Sequence, residues 1–284
     1  EAILELFVPL VMAKIIDVGV KNGDSGYVIK MGGLLVLLAA LGLSFALVCQ
    51  YWASKASQGF GTKVRSALFA HINSLSHAEL DKLGTPSLIT RMTNDINQVQ
   101  QSVAMSIRLL TRAPFIVAGA LVMAMTINLK MSVIFFISAL LIAVTLYFVM
   151  SKSIPIFTAM QKKLDKIGLI SRENLSGNRV IRAFSKQKTE KERIDNATED
   201  LAKTSIRVSR LSALLSPVTY AVTDLAIVAV VWFGAMNVNN GSGMLSGDII
   251  ALVNYLTQIL LAMIVVANLV ILLTKASASA KRID

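Results

Sequence analysis

The sequence predicts an all-α, polytopic membrane protein: six transmembrane helices with two long cytoplasmic helical hairpins. Three observations lead there. The 284 residues are 55% hydrophobic and only 16% charged, and mean hydropathy is +0.65, whereas a soluble domain carries about a quarter charged residues. Residues 31–54, 131–151 and 249–274 contain no Asp, Glu, Lys or Arg, residues 113–129 form a shorter uncharged run, and residues 211–246 carry only Asp224. Between these runs lie two long polar segments with few helix breakers, notably Gly59, Gly61, Gly84, Pro86, Pro155, Gly168 and Gly177.

Each element follows in turn. A helix needs about 20 apolar residues to cross the ~30 Å hydrocarbon layer, which sets spans at approximately 1–20, 28–54, 105–128, 131–152, 211–237 and 248–274. The first is the least clean, since it carries Glu1, Glu5, Lys14 and Asp17. It opens without a methionine or a charged leader, so it reads as a span cut short at its start, not as a signal peptide. The outer connections are short, near 19–27, 128–130 and 237–247. The last contains "NNGSGMLSGD", where Gly and Asn supply positive φ. The lone Cys49 excludes an internal disulfide and says little about redox compartment.

The inner segments, approximately 55–104 and 153–210, are helical in pattern. Leu164, Ile167 and Ile170 recur at spacing three, and Ile194, Ala197, Leu201 and Ile206 continue an apolar stripe among charges, the mark of an amphipathic helix with a buried seam. Glu199 and Lys203 stand at helix-pairing distance. Arms of about 25 residues would reach about 35 Å below the bilayer at 1.5 Å per residue. The first hairpin should turn in "DKLGTPSLITRMTND", with Gly84 ending one helix, Thr85 capping the next and Pro86 at its first position. The second should turn near "SRENLSGNRV", with Gly177 and Asn178 as breakers.

Charge sets the orientation. Of 28 Lys and Arg, 24 fall in residues 55–112, residues 152–210 and the tail from Lys275, all on the inner side if both termini are cytoplasmic, in line with the positive-inside rule. Basic loops beside anionic lipid account for the +11 net charge, so nucleic acid is not an expected partner.

Leu175-Ser176-Gly177 matches the opening letters of an ATPase signature, but three letters recur by chance. A nucleotide site also needs a phosphate loop, G-x-x-x-x-G-K-[ST], and the nearest string, "GFGTKVRS", lacks that spacing and follows a membrane helix. Nucleotide binding by this chain alone is therefore not expected, and whether it is an enzyme in its own right stays open. His71 and His77 have no Cys or paired carboxylate at ligand spacing, so no metal site is expected.

The motifs taken together resemble the transmembrane domain of a six-helix ABC exporter. "SLITRMTNDINQVQ" (residues 87–100) resembles that family's first-loop motif and "ENLSGNRVIRAF" (173–184) its second. "ASASAKRI" (276–283) resembles the linker toward the ATPase domain. "SQGFGTKVRSALFAHI", "RAPFIVAGALVMAMTINLKMS" and "VVWFGA" are similar to one half of the bacterial heterodimeric multidrug exporters. The resemblance covers essentially the whole chain. It implies a cell-membrane, multi-pass protein, in the bacterial inner or plasma membrane, with both termini cytoplasmic. It would pair with a second transmembrane domain, a heterodimer being favoured, and with ABC ATPase domains that carry ATP and Mg. Such an ATPase domain is absent from this chain, which therefore reads as a fragment or excised domain. The complete transporter would be an ATP-hydrolysing translocase exporting a drug, lipid or peptide. Leu83, Gly84, Thr85, Ser87 and Arg91 at the first tip, and Arg172, Glu173, Asn174, Gly177 and Arg179 at the second, would couple to the ATPase domains.

Substrate-pathway candidates come from residues that are costly in lipid. A carboxylate at mid-membrane costs about 2.5–3.5 kcal/mol on insertion scales, so Asp224, with Tyr220 one turn earlier, should face a cavity or a partner helix. Asn254, Gln258 and Asn268 fall within about 80° on one face of the last span. They line either a wet pathway or an interhelical contact worth about 0.6 kcal/mol each. Met123, Met125, Met236 and Met263 are adaptable cavity walls or plain packing residues. Arg108 and Arg112 read as interface anchors of the third span. The competing function classes are a membrane-embedded enzyme, for which Asp224 lacks an evident catalytic partner in sequence, and a membrane scaffold or sensor docking a non-ATPase partner.

Overall fold

The computed structural model describes residues 1–240 and 243–284, so part of the turn expected over 237–247 lies outside the described residues. No strand occurs among them, and the chain is an all-α polytopic membrane protein. Helix α1 (Ala2–Lys14) runs on through a π-helical stretch, Ile15–Val20. Helix α2 (Ser25–Ser74) is 50 residues long, about 75 Å at 1.5 Å per residue. A short α3 (His77–Leu83) precedes a rod spanning Thr85–Ile127. That rod comprises α4 (Thr85–Thr90), α5 (Ile96–Met105) and α6 (Arg112–Ile127), joined by π-helical stretches Arg91–Asp95 and Ser106–Leu110. Then follow α7 (Leu129–Ser176), α8 (Asn178–Ala183), α9 (Gln187–Ala213), α10 (Leu215–Asn239) and α11 (Ser246–Ile283).

Among the described residues, five helical stretches are long and apolar enough to cross a membrane: Ser25–Ser74, Thr85–Ile127, Leu129–Ser176, Gln187–Asn239 and Ser246–Ile283. Each overlaps one of the five charge-poor runs of the sequence. Helix α1 is not among them, because Glu5, Lys14 and Asp17 lie within its 19 residues up to Val20.

The outer connections are tight. Asp24 caps α2 by accepting from the Tyr27 amide at 2.9 Å. Asn128 alone separates α6 from α7, and its Oδ1 accepts from the amides of Lys130 (3.0 Å) and Met131 (3.2 Å). A side-chain acceptor there replaces carbonyls that a helix's first amides lack.

The chain divides into two compact units: Glu1–Ala139 with Thr223–Asp284, and Leu140–Val222. The first unit holds the main core. Leu6 and Ala13 of α1, Ala120 and Ala124 of α6, Met131 and Phe135 of α7, Val230 of α10, and Ala251, Leu252, Tyr255, Leu256 and Ile259 of α11 pack together. Lipid offers no hydrophobic gain for helix association, so close approach through small residues supplies it. A Cβ on Gly119 would lie 2.1 Å from Leu6 Cδ1, and one on Gly247 would lie 2.4 Å from the Ala13 carbonyl oxygen. Two buried polar links tie α1 to α11. Tyr255, with no exposed surface, donates its hydroxyl to the Leu6 carbonyl at 2.6 Å, and the Gly247 amide donates to Asp17 Oδ1 at 2.8 Å.

The second unit is a helical hairpin stitched by polar pairs. Lys163 Nζ meets Asp200 Oδ1 at 2.7 Å and donates to Thr204 Oγ1 at 2.8 Å. Glu173 pairs with Arg193 at 2.9 Å, and Asn174 Nδ2 donates to Glu190 Oε2 at 3.0 Å. Ile170 is fully buried. The expected apolar stripe needs correction at both ends: Leu164 and Ile206 are exposed, and Val208 takes the buried place. Ile206 follows Leu201 by five residues, which rotates it off the face, whereas Val208 follows by seven and returns to it.

Replacing Gly247 by Ala is expected to weaken the α1–α11 contact by about 1–3 kcal/mol, the usual cost of overpacking. Tyr255→Phe should cost about 1 kcal/mol for one buried hydrogen bond. Denaturant unfolding of the detergent-solubilised chain, followed by circular dichroism, measures both.

Candidate functional site: two hairpin tips and a charged cluster among the spans

Both tips carry a short helix bounded by two corners. At the first, α2 ends at an extended Leu75 (φ −72°, ψ 146°). Ser76 opens α3 with a capping box: its amide and hydroxyl both donate to Glu79 Oε2 at 2.8 Å. Those two donors hold the Glu79 carboxyl below its ordinary range. Gly84, at φ +76°, forms the second corner, a backbone state open to glycine without strain. It ends α3 and also caps α4, so Thr85 is the first helical residue and not the cap expected from the sequence. Leu83, Gly84 and Thr85 thus mark one corner of the tip, while Ser87 and Arg91 lie on the returning rod. The transverse helix itself, His77–Leu83, precedes most of the residues singled out from sequence.

The second tip differs likewise. Gly177 (φ −91°, ψ 6°) interrupts the helix as expected, ending α7 at Ser176, whereas Asn178 begins α8 instead of breaking it. The further corner is Phe184–Lys186, where Ser185 takes φ 52°. Arg172, Glu173 and Asn174 occupy the last turns of α7, and Arg179 lies on α8. Glu173 and Asn174 are spent on the hairpin's own contacts to Arg193 and Glu190. The tip exposes large apolar side chains, Leu175 at 82%, Phe184 at 72% and Val180 at 60%, interleaved with the exposed Arg172, Arg179 and Arg182.

Among the pathway candidates, the structure brings one into a polar cluster and leaves the rest outward. Asp224, Tyr220, Asn254 and Asn268 are exposed, and Asn254 donates to its own helix at the Ile250 carbonyl, 2.9 Å away. Gln258 is partly buried and borders a cavity of about 210 Å³ with Glu5, Leu109, Arg112, Ala113, Ile116, Leu261, Ala262 and Val265. Arg112 is not a simple interface anchor. Its Nη2 meets Glu5 Oε2 at 2.5 Å and its Nη1 lies 3.6 Å from Glu1 Oε1. The available sequence signal was two acids one turn apart in an otherwise apolar first span, which demand a cation on a neighbouring helix.

A second long-range pair was also missed. Arg282, in the "ASASAKRI" stretch, grips Asp95 through Nε to Oδ2 (3.0 Å) and Nη2 to Oδ1 (2.5 Å), and Nη2 also donates to Ser279 at 3.0 Å. Asp95 is 3% exposed. The Arg282 hydrogen bond holds its carboxyl below the ordinary range against the opposing effect of burial. Both residues belong to motifs picked out in the sequence, but 187 positions separate them, and no local periodicity reports such a pairing.

Helical spans that continue into long hairpins, each turned through a short helix, are the architecture of a polytopic membrane domain. Residues 1–263 match the family described as the ABC transporter transmembrane region, and the chain belongs to that family. It is 33% identical over 283 residues, its whole length, to an uncharacterized ABC transporter ATP-binding protein of Mycobacterium tuberculosis (strain CDC 1551 / Oshkosh), covering 48% of that protein. It is 31% identical over the same length to the uncharacterized ABC transporter ATP-binding protein YfiB of Bacillus subtilis, covering 49%. An ATP-dependent lipid A-core flippase of Vibrio parahaemolyticus is 22% identical over 237 residues, 84% of this chain and 41% of that protein. The chain spans about half the length of the curated relatives it matches over its full length.

The Asp95–Arg282 pair predicts a pH-dependent contribution to stability. A depressed folded-state pKa stabilises the fold above the unfolded aspartate value, about 3.9, and the benefit is lost as pH falls through the lower folded value. Arg282→Ala should therefore lower the thermal midpoint at pH 7, by about 1–3 kcal/mol for a buried carboxylate left without its partner. The gap to the parent chain should narrow below pH 4 in scanning calorimetry.

Proposed function

We propose that this chain forms half of the translocation pathway of an ATP-driven exporter and takes its drive from ABC ATPase domains through the tips at α3 and α8. The observation that carries this reading is the second tip. Glu173 and Asn174 are engaged by Arg193 and Glu190, and Leu175, Val180 and Phe184 are left exposed, among the exposed Arg172, Arg179 and Arg182, around the short helix that joins two laced arms. An apolar patch rimmed by polar residues marks a protein contact. ATP and Mg would be handled by the ATPase domain, since the chain has no phosphate loop. The names of the relatives, ABC transporter ATP-binding proteins, support that division of labour.

In this reading α1 is the sixth span. Its acids are compatible with lipid because Glu5 is paired with Arg112 and Asp17 accepts from the Gly247 amide. Both termini then lie in the cytoplasm of a bacterial cell, and a second transmembrane domain, a sister chain in preference to an identical copy, completes the pathway. The flippase among the relatives favours an amphiphilic substrate, with Tyr220, Asp224, Asn254, Gln258 and Asn268 facing the pathway or the second domain. Nothing observed favours the scaffold reading.

Phe184→Asp and Leu175→Asp should weaken binding of the purified cognate ATPase domain at least tenfold in biolayer interferometry, with unchanged circular dichroism. Full-strength binding by both variants would remove the second tip from the coupling surface.

A further inference from the structure

The cluster around Arg112 has more chemistry than ion pairing uses. Within unit 1, Arg112 borders three neighbouring cavities. One of about 210 Å³ is lined by α6 and α11 residues with Glu5. One of about 300 Å³ is lined by α1 and α2 residues, including Leu4, Val8, Leu38 and Leu43. A third, of about 190 Å³, contains Cys49, Gln50 and Arg108. The Glu5–Arg112 pair is a wall shared by the first two. Two buried polar atoms at this wall have no partner among the described residues: the donor Arg112 Nε and the acceptor Gln258 Oε1. Both residues border the first cavity, whose remaining walls are Leu109, Ala113, Ile116, Leu261, Ala262 and Val265.

A buried donor and a buried acceptor without partners each cost about 1–3 kcal/mol, and a group that satisfies both recovers that cost. We propose that the first cavity binds the headgroup of an uncharged amphiphile, a hydroxyl or carboxamide, between Arg112 and Gln258, with its hydrocarbon chain along Ile116, Leu261 and Val265. A hydroxyl or amide both accepts and donates, as these two atoms require. The pairing of Arg112 with Glu5 sets the charge preference. An ammonium headgroup would have to displace Arg112 from Glu5, and a carboxylate would have to displace Glu5 from Arg112. A displaced Glu5 is left without a partner, and a displaced Arg112 keeps only the longer 3.6 Å contact to Glu1; both outcomes are costly at membrane depth. The inference rests on the membrane-spanning reading of α1, α6 and α11 and does not depend on ATPase coupling.

The test uses three photoreactive diazirine probes of one chain length, bearing a primary alcohol, an ammonium or a carboxylate, with the full chain in phosphatidylcholine nanodiscs and no nucleotide. The alcohol should label peptides from α6 and α11 around this cavity saturably, and excess octanamide should compete. The charged probes should label them at least fivefold less. Gln258→Leu, which keeps the volume and removes the acceptor, should cut saturable alcohol labelling at least fivefold. Val265→Phe, which fills the cavity, should abolish it while preserving the Glu5–Arg112 pair. Circular dichroism and the thermal midpoint check that both variants fold, and a misfolded variant leaves the parent chain's charge ranking as the deciding result. Equal or stronger labelling by a charged probe, or unsaturable labelling by the alcohol as expected of a merely hydrated cavity, overturns the proposal. So does unchanged labelling of folded Gln258→Leu. A loss of ATPase binding at Phe184 or Leu175 bears on the coupling reading and not on this result.

Discussion

The cost of an unpaired charge or backbone group in hydrocarbon governs this molecule. With no water to satisfy amides and carbonyls, the spanning chain must be helical, and any ion it carries must find an opposite or a donor. Helix α1 shows the consequence most directly. It is the most charged of the six candidate spans, and its acids fix its neighbours: Glu5 holds α6 through Arg112, and Asp17 holds the start of α11 at the Gly247 amide. Between them the Leu6 carbonyl takes the Tyr255 hydroxyl. These polar links locate α1, and the small residues, Gly119, Ala120 and Ala124, let it come close enough for dispersion to act.

The fold class was legible because it depends on the local density of apolar residues. The charge-free runs became helices, and turn chemistry at Asp24, Asn128 and Gly84 landed within a residue or two of its place. Tip geometry was legible only in part. Gly177 does separate α7 from α8, but the left-handed corner falls on Ser185, where no glycine announces it. A residue's propensity says what it permits, while the approach of two arms decides which residue must bend. Gln258 was identified as a polar residue in a span, but its neighbours were not. The Glu5–Arg112 and Asp95–Arg282 pairs join positions 107 and 187 residues apart, and a single sequence has no local signal for such distances.

Three π-helical stretches share a feature that bears on these pairs. Ile15–Val20 contains Asp17, Arg91–Asp95 contains Asp95, and Ser106–Leu110 ends two residues before Arg112. Such bulges gather at functional positions. A wide turn shifts the register of one helical face against the next. Asp17 and Asp95 lie within such turns and Arg112 just beyond one, and each of the three meets a group distant in sequence.

The hairpin of the second unit follows a different logic from the membrane core. Its pairs are solvent-exposed, and an exposed ion pair contributes only about 0.2–1 kcal/mol. Lys163–Asp200, Glu173–Arg193 and Asn174–Glu190 therefore hold alignment more than they hold the fold together. In the coupling reading alignment matters, because sliding one helix past the other would absorb motion along the arm. At the tip Glu173 and Asn174 serve the arms, while Leu175, Val180 and Phe184 stay exposed beside Arg172, Arg179 and Arg182. In the core, by contrast, each ion pair is scarce and costly to break, so the polar groups left unpartnered there, Arg112 Nε and Gln258 Oε1, are the ones with energy still to give to a ligand.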